Sequence, residues 1–85
     1  MNALSISETQ GEFSVCWWDP DGNYYYEKLF CGCEEAVNTA VSLIRRPAAK
    51  PGIIRRVIIT DGGDCCNWEW KHGEGIVYPP ELKGR

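Results

Sequence analysis

Cysteines stand at Cys31 and Cys33, with one residue between, and at Cys65 and Cys66, side by side. Thiolates are good ligands for zinc, and four sulfurs meeting at one point would make a tetrahedral site. The spacing is unlike the common zinc modules, in which paired ligands are usually two or more residues apart. Against zinc stands a simpler role, because free cysteine is often a small buried hydrophobe. A redox pair is disfavoured, since no basic residue adjoins either pair to draw out a thiolate.

His72 is the only histidine. It could serve as base to Cys65, Cys66 or Cys16 in a nucleophilic pair. Its flanks, Lys71 and Gly73, place it instead in an exposed turn. The chain shows no nucleophile elbow and no nucleotide-binding loop, so the expectation is a protein that is not an enzyme. The run Asp19-Pro20-Asp21-Gly22-Asn23 starts like a calcium loop but lacks the later ligands and closing glutamate. Turn chemistry explains it, and also explains Asp61-Gly62-Gly63-Asp64. Arg45, Arg46, Lys50, Arg55 and Arg56 form one basic cluster that could meet phosphate or nucleic acid. A net charge of −3 weighs against broad nucleic-acid binding.

The elements that must position these groups follow from local pattern. The chain has 85 residues, room for a single domain, and 44% hydrophobic with 25% charged residues is the balance of a folded globule. Residues 12–18 and 24–30 are rich in β formers and flank the Asp19–Asn23 turn, so they form a hairpin. Cys31-Gly32-Cys33 ends the second strand. A helix is predicted from about residue 33 or 34 to 46, with Ala36, Val37, Ala40, Val41, Leu43 and Ile44 on its apolar side. Glu34 and Glu35 suit its start, Arg45 and Arg46 its end, and Pro47 stops it. Residues 53–60 read as a strand apolar on both faces, hence central in the sheet. Residues 67–71 alternate, placing Trp68 and Trp70 on one face, and 76–78 make a possible short last strand. The ordered part is expected to span about 11–80, with 1–10 and 81–85 as loose tails.

The expected fold is α+β, of order ββαββ: a four-stranded, mostly antiparallel sheet with one helix packed on one face. Such a crossover sets the two aspartate-rich turns at opposite ends and brings the four paired cysteines to the same end. Four Trp, four Tyr and two Phe are more rings than one short helix can cover. Monomers seldom expose large contiguous apolar patches, and Trp and Tyr are enriched at interface hot spots. An association surface built from Trp18, Tyr24, Tyr26, Trp68 and Trp70 is therefore expected.

The run Arg56-Val57-Ile58-Ile59-Thr60-Asp61-Gly62-Gly63-Asp64, with the run from Asn67 to Pro79, resembles the C-terminal half of small hypothetical proteins of alphaproteobacteria. That resemblance implies no activity. No basic start or sustained apolar run follows Met1 and no stretch is long and apolar enough to span a bilayer, so a cytoplasmic protein with reduced thiols is expected. The sequence thus points to a small non-catalytic binding domain, a homodimer, without cofactor. Zinc held by Cys31, Cys33, Cys65 and Cys66, or phosphate held by the basic cluster, are the alternatives.

Overall fold

The computed structural model describes residues 11–63 and 65–84. The segment expected to be a loose N-terminal tail, 1–10, lies outside the described residues. Among the described residues five strands form one sheet: β1 (Phe13–Trp18), β2 (Tyr24–Cys31), β3 (Arg56–Thr60), β4 (Cys66–Lys71) and β5 (Gly75–Tyr78). Their spatial order is β2-β1-β3-β4-β5, and every neighbouring pair is antiparallel. Among the described residues the fold is therefore α+β, with a mainly antiparallel sheet and one helix, α1 (Cys33–Arg45). The short last strand suggested by residues 76–78 is present, at 75–78, so the sheet has five described strands rather than the four of the expected ββαββ order.

Turn chemistry closes the first hairpin. The Asp19 carboxylate accepts hydrogen bonds from the backbone N–H groups of Asp21 (2.9 Å) and Asn23 (3.0 Å). Gly22 takes the positive φ of +89° that the turn needs. Asp61 does the same work between β3 and β4, accepting from the N–H groups of Gly63 and Cys65. Because Trp18 pairs with Arg56 and Ser14 with Thr60, these two turns lie at opposite ends of the sheet.

Glu34 and Glu35 open α1, Arg45 closes it, and Pro47 begins a short 3-10 turn, Pro47–Ala49. Ala36, Ala40 and Leu43 are its buried residues. They stand one and two turns apart, so they share a face. Two alanines let the helix backbone come close to the sheet. Burying Leu43 completely stabilises the fold by about 2 kcal/mol. The core beneath consists of Val15, Cys31, Val57 and Ile59 from the strands, with Ala49 and Ile54 from the connection after α1. Strand β3 is indeed central. Its regular part begins at Arg56, since Ile53 and Ile54 belong to the preceding turn.

Helix α1 approaches β1, β2 and β3 but not β4 or β5. It therefore covers only part of its own side of the sheet. The end of the described chain partly fills the gap. A 3-10 turn, Pro80–Leu82, follows β5, Leu82 is half-buried, and the Gly84 N–H donates to the Ile76 carbonyl at 2.8 Å. Residues 81–84 are thus held by the sheet rather than frayed.

Candidate interaction surface

Alternation along each strand decides which side chains reach the side without the helix. From β1 these are Cys16 and Trp18, and their partners across the ladder on β2 are Tyr26 and Tyr24. From β3 they are Arg56, Ile58 and Thr60, paired with Trp18, Cys16 and Ser14. Trp18 lies 5.9 Å from Tyr24 between ring centroids, and Tyr24 meets Tyr26 edge-on at 6.0 Å. Tyr24 is 58% and Tyr26 56% exposed. The rings border a shallow hollow of about 340 Å³ whose floor includes Cys16, Ile58 and Thr60. An exposed aromatic cluster thus forms a candidate interaction surface.

Its charged rim is ordered. The Arg56 guanidinium carbon sits 4.4 Å from the Trp18 ring centroid, and Arg56 Nε donates to Glu69 Oε2 at 2.6 Å. Lys71 Nζ lies 4.0 Å from the same carboxylate oxygen. Arg56, Ile58 and Glu69 are parts of the surface that reading for aromatic residues missed. Their signal was the two-residue alternation of β3 and β4.

Trp68 and Trp70 do not join this cluster. They pair with Ile59 and Val57, which belong to the core, and are themselves half-buried against it on the helix side. The five expected anchors therefore fall on two faces. Beside Trp68 runs an apolar groove of about 320 Å³ between α1 and β5, bordered by Val37, Val41, Ile44, Ile76 and Leu82. It exists because the helix stops short of β4.

The cysteine site is not formed. Strands β2 and β4 are separated by β1 and β3, so three inter-strand spacings, about 14 Å, lie between them. Zinc–sulfur bonds are about 2.3 Å. Cys31 is buried in the core opposite Phe13, whereas Cys33, Cys65 and Cys66 are exposed. Among the described residues no three His, Cys, Asp or Glu side chains gather to hold a metal ion. Sharing an end of the sheet, as expected, was not enough. Burial pushes the Cys31 and Cys16 thiols upward in pKa, which suits inert core groups.

His72 is a half-buried structural residue rather than an exposed one. Its Nε2 donates to the Lys50 carbonyl at 2.9 Å, and its ring lies against Gly52, where an added Cβ would come within 3.1 Å. The five basic residues do not form one patch. Arg46 is tied to Glu27 at 2.7 Å on the helix side, while Arg56 faces the other way, over Trp18. Arg45, Lys50 and Arg55 are exposed. No described helix is long and apolar enough to cross a membrane.

The chain matches no family model, no curated protein and no solved structure.

Proposed function

We propose that this chain is a non-catalytic binding domain that engages a protein partner through Trp18, Tyr24 and Tyr26, with Arg56 as a polar rim. The supporting observation is the row of three adjoining rings on a sheet face that the helix leaves uncovered. Rigid rings give large contact area at small entropic cost, and aromatic and Arg residues dominate binding hot spots. The hollow they border is shallow and lacks a nucleophile–base pair. Its thiol, Cys16, is buried, with its pKa raised by burial.

The test compares two baits in the native cell, the unaltered chain and a variant carrying Trp18→Thr, Tyr24→Thr and Tyr26→Thr. Threonine preserves strand preference. A partner that co-purifies stoichiometrically with the first and disappears from the second supports the reading. Equal recovery with both baits, when both are folded, would refute it.

A further inference from the structure

Among the described residues the sheet has two outer edges, β2 and β5, and they differ. Strand β5 has four residues, and Gly84 already occupies its Ile76 carbonyl. Pro79 and Pro80 follow it and carry no N–H. Strand β2 has eight residues, and among the described residues nothing lies along its outer side. Native proteins usually blunt such an edge with charge or proline. Here the charges of β2 are engaged elsewhere, Glu27 with Arg46 and Lys28 with Glu35.

The free backbone groups can be assigned. The Trp18 carbonyl accepts from the Arg55 N–H at 2.8 Å, so the Trp18 backbone points toward β3. Its partner Tyr24 must then turn both N–H and C=O away from β1. By alternation Tyr25 points inward and Tyr26 outward. This stretch is also the regular part of β2, because the bulge in the β1–β2 ladder comes after Tyr26.

We propose that β2 pairs antiparallel with β2 of a second copy, about a two-fold axis at Tyr25. The sequence Tyr24-Tyr25-Tyr26 reads the same in both directions, so this register sets Tyr24 opposite Tyr26 of the other copy, twice. Each such pair exchanges two N–H···O=C bonds. Asn23 then meets Glu27, with no like charges opposed. Centring the axis on Tyr24 would oppose Asp21 and Glu27, and centring it on Tyr26 would draw in the bulge. The chosen register also carries the Trp18–Tyr24–Tyr26 row across the axis, making one long aromatic shelf. Pairing goes beyond the face-binding reading, since it uses the edge of the backbone rather than the faces of the rings.

The experiment combines sedimentation equilibrium of the full chain with amide exchange by NMR, from about 10 µM to about 1 mM, because a short edge buries less than a standard interface. A dimer is expected, with Tyr24 and Tyr26 amides slowing as concentration rises and the Tyr25 amide unchanged. Tyr25→Lys opposes two ammonium groups across the axis and leaves Trp18, Tyr24 and Tyr26 intact, so it should weaken the dimer at least ten-fold. The wild-type exchange data need no variant to fold. A monomer throughout, or a dimer undisturbed by Tyr25→Lys, would overturn the proposal. So would a dimer whose Tyr24 and Tyr26 amides stay fast, which would leave association by the ring face standing.

Discussion

The Arg56 guanidinium carbon sits over the Trp18 ring, 4.4 Å from its centroid, while its Nε holds Glu69. One side chain thus ties β3 to the rings of β1 and to the carboxylate of β4. The stack is worth about 0.5–1 kcal/mol at a partly exposed site, and the ion pair at most about 1 kcal/mol more. Arg56→Ala should therefore lower stability by about 0.5–2 kcal/mol, seen as an earlier midpoint in urea. Arg56→Lys should fall between, because an ammonium keeps the charge but not the guanidinium's planar, more weakly hydrated face against a ring. Equal midpoints for all three proteins would show that the pairing contributes nothing.

The helix predicts a contrast between two of its apolar positions. Leu43 is completely buried, whereas Val37 is 45% exposed beside the groove near Trp68. Leu43→Ala should cost about 2–5 kcal/mol, a large share of the stability of so small a domain. Val37→Ala should change stability by about 0.5 kcal/mol or less. Thermal unfolding of both variants checks the difference. Similar losses would mean that α1 docks by a different face.

Asp19 and Asp61 predict how stability responds to acid. At Asp19 partial desolvation pushes the carboxyl upward, but hydrogen bonds from Tyr25, Asn23 and Asp21 outweigh it and leave the pKa lowered. At Asp61 the Asn67 side chain and the N–H groups of Cys65 and Gly63 lower it. A lowered folded-state pKa gives stability that is present above the unfolded value, about 3.9, and is lost as pH falls through the folded value. Denaturation midpoints should therefore drop below about pH 4. The drop should be smaller in Asp19→Asn and Asp61→Asn. The Tyr25 hydroxyl, donating to Asp19 at 2.9 Å, has its pKa raised by that bond. Its contribution is complete below about pH 10 and is lost as pH rises further. Tyr25→Phe should flatten the alkaline limb and, by removing one of the bonds that lower the Asp19 pKa, also soften the acid limb.

Thiol chemistry should divide the cysteines by burial rather than by pair. Cys33 and Cys65 are exposed and should react with a thiol reagent in the folded protein. Cys16 and Cys31 are buried and should react only as fast as the domain opens. Adding zinc before the reagent should protect none of them, and a chelator should leave Tm unchanged. Joint protection of Cys31 and Cys66 by zinc would contradict the strand order.

Local rules carry far in this chain. The turn at Asp19–Asn23 follows from residues that bond their own backbone, and the span of α1 from Glu34, Arg45 and Pro47. The antiparallel hairpin and the shared end of the cysteine pairs also depend on neighbours along the sequence and on chain direction. Alternation likewise shows that Trp68 and Trp70 share a face. It cannot say which face, since a strand looks the same from either side until its partners are known. Pairing with Ile59 and Val57, and the landing of α1 on those residues, turned both tryptophans inward and left Trp18, Tyr24 and Tyr26 outside. Strand order, likewise non-local, put β1 and β3 between Cys31 and Cys66 and dispersed a site that spacing alone left open.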